Sequence, residues 1–189
     1  SRAYNKKSFR LYFRQEYGQP RLDYPLFPDS SVTSFKRLVL HAGGQDASQI
    51  PTNWTLLRNQ IMANLAQETH AWATHSQPVL LFINGEPWGL YYFREHLDRF
   101  LFDEQYGVQS SEIVDTPARR VENPADIGPA FADWDHLTAF IDNNDMTDPA
   151  NYAYAASQVD LANFIDNSIL QIYSANFDWP FTNMKQFRS

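Results

Sequence analysis

An α+β fold with two lobes is the arrangement the sequence predicts, and three observations carry it. Apolar runs of strand length cluster in the first half of the chain, up to residue 93. Apolar residues at helical spacing dominate the second half. Between two of the early runs stands Asn84-Gly85, the strongest short-range signal for a hairpin.

The first strand covers residues 7–14, which alternate, with Phe9, Leu11 and Phe13 on one face and Ser8, Arg10, Tyr12 and Arg14 on the other. That period of two is a half-buried strand. Gly18 and Pro20 end it, and Tyr24-Pro-Leu-Phe27 lies in an aromatic loop punctuated by Pro. Residues 35–41 form a second strand, stopped by Gly43-Gly44. The spacing of Trp54, Leu57, Ile61 and Leu65 predicts a helix over 52–69, with Thr52 as its N-cap. The hairpin strands are 79–83 and 88–93, and a short helix over 95–106 carries Leu97, Phe100 and Leu101. Residues 107–130 hold three Pro among mixed charges and read as an irregular excursion. Helices are predicted over 133–143 and 159–174. The second has a wide apolar face of Leu161, Phe164, Ile165, Ile169, Ile172 and Tyr173. A strand begins near Met184 with nothing after it to pair with, so the chain is expected to be a piece of something longer.

Composition narrows the function. A 189-residue chain that is 43% hydrophobic can bury a substantial core. A formal charge of −7, without a Lys/Arg-rich stripe, argues against nucleic acid or an anionic membrane as the main partner. No apolar run approaches the roughly 20 residues of a membrane helix. The absence of Cys removes disulfides, thiolate chemistry and Cys-ligated zinc. No P-loop, G-x-G-x-x-G, G-x-S-x-G or H-E-x-x-H occurs. His70, His75, His96 and His136 read as structural. The aromatic excess, 15% of residues, falls mostly at core spacing rather than on a sugar-binding platform.

One segment remains for chemistry: Asp178-Trp-Pro-Phe-Thr-Asn183, directly after the long apolar helix. Pro180 forbids helical continuation, so Asp178 and Asn183 project from an ordered loop. An Asp that accepts a proton, with an Asn after it that ligates a metal, is the layout of a kinase catalytic loop. By spacing alone, an Asx-turn Asp and a backbone-tied Asn account for the pair as well.

The chain resembles the CotH kinase family, named for spore-coat protein H. The resemblance lies in Lys6-Lys-Ser-Phe-Arg-Leu-Tyr-Phe-Arg14 with Tyr24-Pro-Leu-Phe27, and in Phe35-Lys-Arg-Leu-Val-Leu-His-Ala-Gly-Gly-Gln-Asp46. It continues through Leu57-Arg-Asn59, Leu81-Phe-Ile-Asn-Gly-Glu-Pro-Trp-Gly-Leu-Tyr-Tyr-Phe-Arg-Glu-His-Leu-Asp98 and Asn176-Phe-Asp-Trp-Pro-Phe-Thr-Asn183. Only residues 107–155 lack a signature. The resemblance implies a two-lobed atypical protein-kinase-like fold, incomplete at both ends. Residues 1–93 would be the strand-rich lobe, 94–98 the hinge, and 99–189 the helical lobe as far as its catalytic loop. It implies phosphorylation of Ser or Thr on spore-coat or cell-surface proteins, from ATP with Mg²⁺ or Mn²⁺. It also implies a location in the spore coat, or a secreted or surface one. Asp178 would be the catalytic base and Asn183 a metal ligand. Arg94 and Glu95 would lie at the hinge beside the adenine, with Lys7 or Arg10 at the α/β-phosphates and Arg58 taking a phosphate or carboxylate. The alternative is a non-catalytic binding or assembly module of a surface protein.

Two kinase parts have no counterpart: Gly-containing strands expected before Ser1, and a second metal-binding Asp expected beyond residue 183. These 189 residues alone are therefore expected to show little phosphotransfer, which an ATP-dependent phosphorylation assay on the isolated chain checks.

Overall fold

A computed structural model describes residues 6–47, 55–109, 114–117, 129–180 and 185–188. The chain divides into two compact units. The first comprises 1–65 with 73–110, and the second 66–72 with 111–189.

The first unit is built on a four-stranded antiparallel sheet. Its strands are β1 (Phe9–Tyr12), β4 (Arg37–His41), β6 (Glu86–Glu95) and β5 (Ser76–Ile83), side by side in that order. The hairpin behaves as its turn residues demand. Asn84 and Gly85 both adopt positive φ, 54° and 85°, the pattern of a type I′ turn whose twist suits antiparallel strands. Both strands are longer than the sequence pattern suggests. β6 runs to Glu95 because its end pairs with β4, Leu38 opposite Glu95 and Val39 opposite Arg94. Arg94 and Glu95 thus belong to the centre of the sheet. The next helix, α2 (Arg99–Tyr106), starts later than its expected beginning at 95, where the Asp98 carboxylate accepts the N–H groups of Phe100 and Leu101.

The aromatic loop after β1 closes one face of the sheet. It contains a two-residue ladder, β2 (Leu22–Asp23) against β3 (Ser34–Phe35), which the Pro-rich pattern conceals. Phe27, Val32, Phe35 and Leu38 form the core, flanked by Leu11, Phe13, Leu22, Leu26 and Phe93. Phe27 meets Phe35 edge-on, with ring centroids 5.6 Å apart.

The helix expected over 52–69 is α1 (Arg58–Gln67), shorter at its start. Residues 55–57 are not helical, and Thr52 lies outside the described residues. The capping group comes instead from the loop after β4. Asp46 accepts the Arg58 N–H at 3.0 Å, and the N–H and hydroxyl of Thr55 at 3.2 and 3.0 Å. Leu57, Ile61 and Leu65 stay exposed, so the predicted apolar stripe is not buried among the described residues.

The second unit holds α3 (Pro129–Asn143), α4 (Pro149–Ser157) and α5 (Leu161–Tyr173), with a two-stranded ladder of β7 (Val114–Pro117) and β8 (Lys185–Arg188). The closing strand therefore has a partner, supplied by a segment whose Pro content reads as irregular. α4 is additional to the predicted helices, although Asp148 caps it and Pro149 opens it, a standard helix start. On α5, Phe164, Ile165, Ile169 and Ile172 remain exposed. The loop at His70 is fastened to this helix, because Asp166 accepts both its N–H and its ring Nδ1–H at 2.8 Å. No described helix is long and apolar enough to cross a membrane.

Gly85 carries the testable consequence. A Cβ there would meet no atom, so Gly85→Ala isolates the cost of a left-handed backbone. It is expected to lower stability by about 1–2 kcal/mol, read from urea unfolding midpoints.

Candidate functional site

Strand periodicity assigns the charged residues of the first unit to faces. Arg10 lies opposite Val39, Val39 opposite Arg94, and Arg94 opposite Ser76. These four make one row across all four strands, and directly opposed residues share a face. The next row on that face carries His41 and Tyr92. Glu95, one residue from Arg94, faces the other way, into the core.

Of the site residues expected from sequence, Lys7 precedes β1 and is exposed, and Arg10 is exposed on this outermost strand. Arg94 is largely buried, with its Nε lacking a hydrogen-bond partner. Burial works against its charge and pushes its pKa down. Glu95 is 1% exposed. Its Oε2 accepts the His75 N–H at 2.7 Å and faces the His75 Nδ1 at 3.1 Å, while Oε1 has no partner. Its own N–H donates to the His75 carbonyl at 3.2 Å. Burial raises its pKa against these hydrogen bonds. Arg58 opens α1 with an exposed side chain, its Nε 3.6 Å from Asp46. Asn183 lies outside the described residues.

Asp178 belongs to the second unit, and the end of α5 explains its position. Ala175 takes a left-handed conformation with φ 49° and donates its N–H to Ile172. The Asn176 N–H donates to Gln171 at 3.1 Å. Those two bonds are a Schellman motif, which stops the helix and turns the chain outward. Asn176 then fixes the turn beyond the helix. Its side-chain amide donates to Gln171 Oε1 at 2.7 Å, and its Oδ1 accepts the Asp178 N–H at 3.2 Å. Asp178 is exposed on this turn.

Sequence reasoning misses several participants. Lys6 is drawn against the sheet, donating to the Leu90 carbonyl and lying 4.5 Å from the centre of the Tyr91 ring. His41 accepts the Gly43 N–H on Nδ1 at 3.2 Å. Its pKa is pushed down to about 4, by burial first, then by the charges of Arg94 and Lys6. Asp46 is legible only as part of a Gly-Gly turn. Burial would raise its carboxyl, but the hydrogen bonds from Arg58 and Thr55 outweigh that and hold it below the usual range. The histidines read as structural at 70, 75 and 96 each rest on one carboxylate: Asp166, Glu95 and Asp98. Among the described residues, no group of three or more His, Asp or Glu side chains gathers to hold a metal.

The first unit thus carries two arginines on one sheet face, and the second presents an exposed Asp on the turn after α5. The family model described as CotH kinase protein matches residues 1–187, and the chain belongs to this family. No curated protein and no solved structure matches it.

His41 gives this site a pH signature. The unfolded chain takes up a proton near 6.5, whereas the folded ring resists protonation until about 4. Between these values the unfolded state binds more protons, so folding stability falls as pH drops from about 6.5 toward 4. The loss should reach about 2 kcal/mol, discounted for the solvent the half-buried ring still meets. Urea unfolding at pH 7 and pH 4.5, compared between wild type and His41→Gln, should show the variant losing less over that interval.

Proposed function

We propose that this chain contributes the nucleotide-binding and catalytic-loop portions of a two-lobed protein kinase. Its reaction is phosphoryl transfer from ATP to a Ser or Thr hydroxyl of a spore-coat or cell-surface protein. The single observation that carries this reading is the family match over nearly the whole chain, within which Asp178 is held on the turn that ends α5.

Each residue has a defined task. Asp178 accepts the proton of the acceptor hydroxyl as its oxygen attacks the γ-phosphorus, and the bond to the β-γ bridging oxygen breaks, releasing ADP. Asn176 positions Asp178 by accepting its N–H. Arg10 and Arg94, on one sheet face, offset the negative charge of the polyphosphate. Lys7 and Arg58, both exposed, are further cations assigned to the nucleotide's phosphates. Glu95 acts from the opposite face by locking the end of β6, which fixes the direction of Arg94.

Asn183 is assigned to Mg²⁺ or Mn²⁺ on the family pattern. The described residues do not gather a metal donor set, and the steps above do not depend on one. A divalent ion, when bound, would neutralise phosphate charge.

The experiment is phosphorylation of a Ser/Thr-containing acceptor by the full protein, with ATP and Mg²⁺ or Mn²⁺. Asp178→Ala should lower kcat by about 100-fold or more, with ATP affinity retained. Undiminished transfer in the variant removes Asp178 from the mechanism.

A further inference from the structure

Asp178 is exposed on its turn, and a carboxylate there keeps one direction only if the backbone beneath it is held. Its N–H donates to Asn176 Oδ1 at 3.2 Å. Asn176 in turn uses every polar group it has. Its N–H donates to the Gln171 carbonyl at 3.1 Å, its carbonyl accepts the Trp179 N–H at 3.2 Å, and its side-chain amide donates to Gln171 Oε1 at 2.7 Å. The Gln171 carbonyl also accepts the Ser174 hydroxyl at 3.1 Å. One helical turn back, Asn167 Oδ1 accepts the Gln171 side-chain amide at 3.3 Å.

These contacts have a polarity. A backbone N–H can only donate, so Asn176 must present its oxygen to Asp178. Its NH₂ is then left facing α5, and the group it meets there has to be an acceptor. Gln171 offers Oε1 at that point because its own NH₂ is taken by Asn167. The order of donors and acceptors therefore runs one way, from α5 out to Asp178. Asn167 and Gln171 are half-buried, whereas Asn176 and Asp178 are exposed, so the relay starts from its better-packed end.

We propose that Gln171 is a positioning residue for the phosphotransfer base: it fixes which end of the Asn176 amide faces the Asp178 N–H. The proposal rests on the reading of Asp178 as the base and adds to it what aims the carboxylate. Gln171 acts through Asn176, not on the reacting atoms. A donor at position 171 would turn the Asn176 amide over, set its NH₂ against the Asp178 N–H, and release the backbone that carries the carboxylate.

The test is steady-state phosphorylation of a Ser/Thr-containing acceptor by the full protein with ATP and Mg²⁺, beside NMR hydrogen exchange at the Asp178 amide. Gln171→Met keeps length and charge but removes the acceptor. It should lower kcat about tenfold, leave KM for ATP and acceptor unchanged, and speed exchange at Asp178. Gln171→Lys, a donor only, should do the same. Gln171→Glu, an acceptor only, should recover most of the lost kcat and the slower exchange. Stability alone ranks the charged pair the other way, because a helix C-terminus favours Lys over Glu. Wild-type kcat and exchange in Gln171→Met overturn the proposal, as do equal losses in Gln171→Met and Gln171→Glu. Failure of the base reading looks different: Asp178→Ala transfers phosphate undiminished, while exchange at Asp178 still follows the acceptor at position 171.

Discussion

A carboxylate sealed inside a sheet has to be held by donors from several directions, and Glu95 organises the first unit around that need. It accepts from His75, just before β5, and from the side-chain amide of Gln105 on α2 at 3.5 Å. Phe27 stacks on the His75 ring at 6.3 Å, so the aromatic loop is locked against the same pair. With Glu95 fixed inward, the two-residue period of β6 obliges Arg94 to face the opposite side. A core requirement on one face thereby sets the chemistry of the other.

The same device recurs at the ends of elements. Asp46 joins the loop after β4 to the start of α1. Asp98 caps α2 and takes the Arg37 guanidinium at 2.7 Å and the His96 ring at 2.9 Å. Glu104 accepts the Lys36 N–H at 3.0 Å and pairs with Arg21. Each of these acids is largely buried, and each ties together segments distant in sequence. Removing one partner of such a pair strands a charge, so these contacts specify geometry more than they add stability.

Legibility in the sequence depends on how local the determining force is. The hairpin is legible because Asn84 and Gly85 impose the turn by their own backbone preferences. The long helix and the turn at Asp178 are legible because an apolar period and Pro180 act within a few residues. The start of α1 is not, since Asp46 stands twelve residues before the N–H it caps. β7 escapes notice because a four-residue strand is recognised by its partner, here nearly seventy residues away. At the candidate site, charge and family pattern point to Arg10 and Arg94. The burial of Arg94, the depressed pKa of His41 and the contact of Lys6 with Tyr91 are properties of the assembled sheet, invisible to periodicity.

The pairing of β7 with β8 closes a ring of chain that contains α3, α4, α5 and the turn bearing Asp178. Closing so long a ring costs conformational entropy before any contact rewards it. A ladder of only two strands offers little in return. The locally built turn at Asp178 thus sits inside a ring whose closure is a separate, long-range requirement. Accessory chain that lent this ladder a third strand would stabilise the turn without touching it, a route to controlling the loop through the edge of a sheet.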